Sequence, residues 1–219
     1  MKILAFDTST ELCSAALCLD GTWLVREEMA GNRHSELLLP MVESLLAEAG
    51  IGLRDLDGLA YGKGPGSFTG LRIGCGAAQG LALGADLPVT GVITLEAMAY
   101  AAGADQVLAC IDARMHEVYA AAYRRRDDGM IELSPPAVLK PADLDLPADG
   151  DWLGCGTGFA AYPDLLADRL RAVRPDAFPQ AKAVAELALP VFAAGRGAAP
   201  DSAEPYYVRD KVALKTCER

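Results

Sequence analysis

Residues 62–74 read GKGPGSFTGLRIG, and the reading of this stretch decides the fold. The apolar run Leu56–Lys63 predicts a strand, Gly64-Pro65-Gly66-Ser67 is turn chemistry, and the pattern becomes helical from Phe68 to Gly84. Strand, tight turn and helix in that order are the unit from which an α/β sheet is wound. The helix is unusually rich in glycine: Gly70 and Gly74 stand four apart, as do Gly76, Gly80 and Gly84. Each interior glycine costs about 1 kcal/mol relative to alanine, so the expected return is close approach of another backbone along one face. The place after a strand is also where a phosphate loop sits, but no Gly-Lys-Ser/Thr opens this helix. Two readings stay open here: a tight turn with Ser67 or Thr69 capping a closely packed helix, and a loop approaching a nucleotide.

Toward the N-terminus, Lys2–Phe6 is an apolar run ending in Asp7-Thr8-Ser9-Thr10. Cys13–Leu19 and Thr22–Glu28 are strand-length runs split by the hairpin signal Asp20-Gly21. From His34 to Ala49, Leu37, Leu38, Met41, Val42, Leu45 and Leu46 recur at three and four residues, predicting an amphipathic helix closed by Gly50. Toward the C-terminus, Val89–Ile93 reads as a strand and Leu95–Ala102 as a helix. A second round begins with strands at Gln106–Asp112, Glu117–Tyr123 and Met130–Leu133, then an irregular, proline-rich stretch from Ser134 to Asp151. A short strand Trp152–Gly154, a helix Asp164–Val173 and a helix Lys182–Ala194, broken or kinked at Pro190, complete it. Arg196–Ser202 reads as loop, and the tail Glu204–Arg219 carries no assigned element. The expected architecture is α/β in two successive units, residues 1–104 and 105–219, meeting near Gly103–Asp105.

The 219 residues hold 30 Asp and Glu against 20 Lys and Arg, a net charge of −10. Gripping a phosphate backbone alone needs clustered Lys and Arg, so direct, unaided nucleic-acid binding is excluded as the main role. With 52% hydrophobic and 23% charged residues, the chain has the composition of a globular protein with a real core. No window approaches the roughly 18 apolar residues of a membrane span. The start MKILAFDTST has no apolar run of signal-peptide length, so a cytoplasmic chain is expected. Six cysteines, at 13, 18, 75, 110, 155 and 217, form no C-x-x-C pair and read as reduced, buried small hydrophobes.

Among candidate functional residues, Asp7-Thr8-Ser9-Thr10 places a carboxylate and three hydroxyls in the turn after the first strand. Such a turn coordinates a metal-phosphate or satisfies its own backbone. Gly154-Cys155-Gly156-Thr157-Gly158 is a turn able to approach an adenosine, or a plain glycine turn. His34 and His116 are the only histidines and lie 82 residues apart, so a His-rich zinc site is not expected. His34 opens the first amphipathic helix, where capping or an interface role suits it better than catalysis. No Gly-x-Ser-x-Gly elbow marks a nucleophile. Arg124-Arg125-Arg126, followed by Asp127-Asp128-Gly129, reads as a solvated hairpin tip or a minor phosphate contact.

Several stretches together, ILAFDTST, RHSELLLPMVESLL, GPGSFTGLRIG, LPVTGVITLEA and EVYAAAY, resemble the bacterial TsaB (YeaZ) family, a subunit of the machinery that makes threonylcarbamoyladenosine in tRNA. The resemblance implies two tandem actin-like domains of sugar-kinase type, with mixed sheets flanked by helices. It implies a non-catalytic scaffold that binds and activates the catalytic paralogue TsaD, with an ATPase partner TsaE, and pairs with a second copy of itself when alone. Contact with tRNA then runs mainly through the complex. ATP or ADP and a metal are expected in the assembled complex, with no cofactor held tightly by this chain. Thr94 and Met98 stand where the paralogue's two metal-binding histidines would be, and neither suits a hard metal.

The docking face expected on this basis joins the helices 34–49 and 70–84: His34, Glu36, Leu37, Leu38, Met41, Val42 and Leu45 from the first, and Gly70, Arg72, Gly74, Ala77 and Ala78 from the second. The same apolar residues could instead serve only the core. Asp7, Thr8, Ser9 and Thr10 are then a remnant phosphate turn near nucleotide. The alternative function is a stand-alone nucleotide-dependent phosphotransferase or hydrolase of the same fold. A peptidase, as older family labels have it, finds neither metal ligands nor a nucleophile in this sequence.

Overall fold

The computed structural model describes residues 1–127, 129–147 and 150–209. Asp128, Cys217 and the last ten residues of the tail lie outside the described residues. The elements run β1 (Lys2–Asp7), β2 (Leu12–Leu19), β3 (Thr22–Met29), α1 (His34–Ala49), β4 (Gly58–Gly64), α2 (Phe68–Ala85), β5 (Val89–Ile93) and α3 (Thr94–Ala102). They continue with β6 (Gln106–Asp112), β7 (Val118–Arg126), β8 (Gly129–Leu139), β9 (Trp152–Cys155), α4 (Thr157–Ala161), β10 (Leu170–Arg174) and α5 (Ala181–Ala193).

The first sheet has the order β3-β2-β1-β4-β5 and the second β10-β9-β6-β7-β8. Each opens with two antiparallel hairpins and adds two parallel strands beside its first strand. One topology therefore occurs twice, which is the actin-like arrangement that the resemblance implied. In β1 the alternation sends Leu4 and Phe6 to one face, against Leu38, Val42 and Leu45 of α1 and Cys75, Ala78 and Ala82 of α2. Ile3 and Ala5 point to the other face, against Ala183, Val184 and Ala188 of α5. A strand covered on both faces reads as a continuous apolar run, as Ile3–Phe6 does. α3 turns Leu95, Met98 and Ala99 onto the second sheet and Ala97 toward α5. Both helices thus lie between the sheets, and α5, although late in the chain, packs on the first sheet.

Three expectations are corrected. No helix forms over Asp164–Val173: turns lead to the strand β10, and the local helix is the short α4 instead. Residues 134–139 are not irregular but extend β8. Their prolines are tolerated because β8 is an edge strand and the register slips by one residue beside them, with Ala122 opposite Ser134 and Ala120 opposite Ala137. α5 runs unbroken through Pro190, which falls in its last turn. Cys13, Cys18, Cys75, Cys110 and Cys155 are free and buried, and burial pushes the Cys110 and Cys155 thiols up to about 12. Among the described residues, no helix is long and apolar enough to cross a membrane.

The glycines of α2 divide into two kinds. A Cβ on Gly74 would stand 2.6 Å from Thr8 Oγ1, and one on Gly70 would be closer still to the Thr8 carbonyl oxygen. Around Gly76, Gly80 and Gly84 there is open space, so the expected backbone approach holds at Gly70, while Gly74 makes room for the Thr8 side chain. Gly70→Ala should therefore lower the thermal midpoint by about 6 °C or more, the effect of roughly 3 kcal/mol in a chain of this size. Gly80→Ala should leave it unchanged or raise it by a few degrees, since alanine favours the helix by about 1 kcal/mol. Calorimetry of the two variants checks the contrast.

Candidate functional site

The turn after β1 is built from its own side chains and from glycines facing it. Asp7 Oδ1 accepts hydrogen bonds from the Ser9 amide at 2.8 Å and the Ser9 hydroxyl at 2.6 Å, an Asx turn. The Thr8 hydroxyl donates to the Gly70 carbonyl at 2.8 Å, and the Ser67 amide donates to the Ser9 carbonyl at 2.7 Å. Gly66 and Gly70 let these backbones meet, since a Cβ at either would collide with the carbonyl oxygen of Ser9 or Thr8. Gly62 leaves room for Asp7 Oδ2, which is buried without a partner. Burial pushes the Asp7 carboxyl up from 3.8 to about 6, against the opposing pull of the Ser9 hydrogen bonds.

The second sheet repeats this device at the matching place. The Arg114 amide donates to Asp112 Oδ1 at 2.9 Å, again an Asx turn, here at the tip between β6 and β7. Arg114, Met115 and His116 are all left-handed, with φ of 60°, 55° and 61°. Arg114 pairs with Asp112 at 3.2 Å and crosses to Glu11 at 3.4 Å. Between the two turns lies a cavity of about 620 Å³, lined among others by Thr10, His34, Ser67, Phe68, Arg114 and Arg209.

Residues 203–209 run as a strap whose last part, Tyr206 to Arg209, forms part of the cavity wall. Gln79 donates to the Ala203 carbonyl at 2.8 Å, and the Tyr61 hydroxyl accepts from the Glu204 amide at 2.9 Å. The Tyr206 amide donates to the Lys63 carbonyl at 2.7 Å. Tyr207 stacks on Phe68 at 5.4 Å between centroids and accepts from Arg72. Arg209 pairs with Glu117 and lies over the Tyr119 ring on β7, so the strap joins the two halves. Sequence reasoning left this segment unassigned, because its contacts are all with residues distant in the chain.

The sequence matches, over residues 25–212, the family described as TsaD: tRNA N6-adenosine threonylcarbamoyltransferase. It is 46% identical over 225 residues to the tRNA threonylcarbamoyladenosine biosynthesis protein TsaB of Escherichia coli, covering 98% of this chain and 97% of that one. The chain belongs to the TsaB family. The TsaB of Haemophilus influenzae is 40% identical, with coverage of 98% and 96%. Two solved Pseudomonas aeruginosa structures superpose at TM-scores of 0.88 and 0.87, both at 40% identity. They cover 95% and 94% of this chain and 99% of theirs; one is described as YeaZ and the other as similar to peptidase YEAZ.

On a family member the expected docking residues are sorted by burial. Leu38, Val42 and Leu45 are core side chains, at 1%, 2% and 0% exposure, so they present no surface and the expectation that they dock a partner is corrected. Gly70, Gly74 and Ala78 are buried as well, the first two against Thr8. His34 is buried at the cavity wall. Glu36 and Arg72 are exposed, and Leu37, Met41 and Ala77 are half-buried. The outer faces carry two residues that the sequence reading passed over, Leu39 at 46% and Leu83 at 75% exposure. Their signal was an apolar side chain outside the core stripe. Thr94 and Met98 are both buried: Thr94 Oγ1 accepts from the Gly64 amide, and Met98 lies in the second core.

The Asp7 shift has a pH consequence. Its carboxyl binds a proton more tightly folded than unfolded, so stability falls as pH rises from about 4 to about 6, by about 3 kcal/mol in all. Asp7→Asn removes this dependence. The stability of the variant relative to wild type should rise by about that amount between pH 4 and pH 7, as read by denaturant unfolding at each pH.

Proposed function

We propose that this chain is a scaffold subunit of the tRNA threonylcarbamoyladenosine machinery, without chemistry of its own. It binds TsaD through the outer faces of α1 and α2, pairs with a second copy when TsaD is missing, and works beside TsaE. The observation that carries this is the open ground along α2. Gly76, Gly80 and Gly84 have nothing near them, and Leu83 and Leu39 stand exposed on the same two helices as exposed Arg72 and Glu36. A helix without side chains along one line lets a second helix approach closely, and exposed leucines supply apolar area to bury. In this reading the unit 1–104 carries the docking face, and nucleotide, metal and most tRNA contact belong to the assembled complex.

The chain's catalytic silence is supported by the way the β1–β2 turn is used. Asp7 Oδ1, Thr8 and the Ser9 carbonyl are all taken up by intramolecular hydrogen bonds. Among the described residues, no group of three or more His, Cys, Asp or Glu could hold a metal.

The test is light scattering on a size-exclusion column, for the chain alone and mixed with its organism's TsaD. Leu83→Glu and Gly80→Arg should abolish the mixed species while keeping the wild-type melting temperature, because neither touches the core. A heteromer that survives both substitutions places the contact elsewhere. ATP turnover by the purified chain, lost in Asp7→Ala, would replace the scaffold with the stand-alone phosphotransferase.

A further inference from the structure

The edges of the two sheets, β3, β5, β8 and β10, are not alike. β5 is met on its outer side by Ala198, which exchanges two main-chain hydrogen bonds with Val89, both of 2.8 Å. β8 carries Pro135, Pro136 and a register shift, and β10 is five residues long with a shift at its start. Proline, irregularity and shortness are devices that keep an edge from pairing. β3 lacks all three: its eight residues contain no proline and pair with β2 without a shift. Among the described residues no strand lies along its outer side.

The hairpin fixes which main-chain groups of β3 face outward. Asp20 and Gly21 have positive φ, 49° and 93°, and Leu19 stands opposite Thr22, a two-residue primed turn closed by a hydrogen-bonded pair. Alternation along the ladder then points the amides of Leu24, Arg26 and Glu28 at β2. The Ala30 amide, donating to the Glu11 carbonyl at 2.8 Å, continues the series. The amides of Trp23, Val25, Glu27 and Met29 face outward, without a partner among the described residues. Of the outward carbonyls only that of Val25 is engaged, by the Arg26 guanidinium at 3.0 Å. The far half of the strand is open on both faces, with Glu27, Glu28 and Met29 all exposed.

We propose that β3 pairs antiparallel with β3 of a second copy of this chain, across a two-fold axis at Glu27, joining two five-stranded sheets into one. The charges on the strand choose both the occupant and the register. Outward-facing residues must stand opposite one another, so the axis passes through a residue. At Glu27 it sets Arg26 against Glu28 of the second copy and Val25 against Met29 of the second copy, each twice by symmetry. At Arg26 it would oppose two guanidinium groups, and at Val25 it would leave Arg26 against Leu24 and Glu28 against Thr22. Arg26 exchanges one surface pair for another, giving up Glu48 on α1. Glu27 facing itself is the one unfavourable pair. The contact calls on none of the residues of the α1 and α2 outer faces, so it stands or falls apart from the scaffold reading.

Sedimentation velocity of the Leu83→Glu chain, from about 1 to 100 μM, tests the contact with the α2 face disabled. A concentration-dependent dimer is expected. Val25→Pro removes an outward amide and no bond to β2, so its melting curve should stay close to the parent's while its dimer weakens at least tenfold. Glu27→Gln, which relieves the like charges at the axis, should tighten the dimer severalfold. Arg26→Glu and Glu28→Arg should each weaken it at least tenfold, and the double variant, with opposite charges again facing across the axis, should return to within threefold of the parent. A Leu83→Glu chain that stays monomeric over this range overturns the proposal, as does a folded Val25→Pro chain that pairs as tightly as its parent. Should Val25→Pro fail to fold, the charge exchange decides: single variants that pair like the parent, or a double variant as weak as they are, overturn it. TsaD binding, read on the same column as before, reports on the scaffold reading separately.

Discussion

The fold rests on a backbone-to-backbone approach that only glycine permits. The peptide of residues 7–9 lies between β4 and α2, and Gly62, Gly66, Gly70 and Gly74 each stand where a Cβ would strike Asp7, Ser9 or Thr8. Spaced four apart, these glycines run from the end of the strand, through the turn, onto one face of the helix. This closeness lets Thr8 reach the Gly70 carbonyl and the Ser67 amide reach the Ser9 carbonyl. It also seals Asp7 away from water, which is why one carboxylate oxygen has no partner and the group holds its proton unusually well. The helix propensity lost at Gly70 and Gly74 is thus tied to the position of the first turn.

The second half repeats the topology but not this clasp. Its Asx turn at Asp112 is partly exposed, and three consecutive residues adopt the left-handed conformation, each unfavourable by about 1–2 kcal/mol for a non-glycine residue. The tip is held by the Ala113 and Glu117 backbone pair and by Arg114 bridging to Glu11 of the first half. One turn is therefore fixed from within and the other across the cleft. The strap adds a second tie through Arg209, so the width of the cavity depends on contacts made by the last residues described.

Much of the chain order was legible because apolar periodicity reports burial directly. The strands of the first sheet, α1, α2 and the hairpin at Asp20-Gly21 follow from it within a residue or two. The same logic misplaced what depends on distant partners. Leu165, Leu166, Leu170 and Val173 have helical spacing, yet Leu166 takes a left-handed φ of 53° and Leu170 begins an edge strand beside β9, a pairing no local pattern encodes. For the site the error was one of face. The stripe Leu38–Val42–Leu45 is apolar because it meets the first sheet, whereas a docking residue must be apolar on the side facing water, as Leu39 and Leu83 are. The close approach of a backbone to α2, in contrast, was legible in the unusual glycine spacing, although its partner, Thr8, was not.

In the proposed scaffold reading, charge accounts for a chain of a tRNA-modifying system acting through protein contact rather than by holding nucleic acid. The net charge is −10, and the arginines are heavily committed. Arg26 pairs with Glu48, Arg33 with Glu28, Arg114 with Glu11 and Asp112, Arg169 with Asp145, Arg171 with Asp151 and Arg209 with Glu117. Such surface pairs contribute little stability, about 0–1 kcal/mol each, but each one cancels a cation that a phosphate backbone would need. An outer face of glycine and leucine suffers no such cancellation, since the gain from burying apolar area follows the area removed from water and needs no unpaired cation. A subunit of this composition is therefore best suited to grip a neighbouring protein, leaving the nucleic acid to a more basic partner.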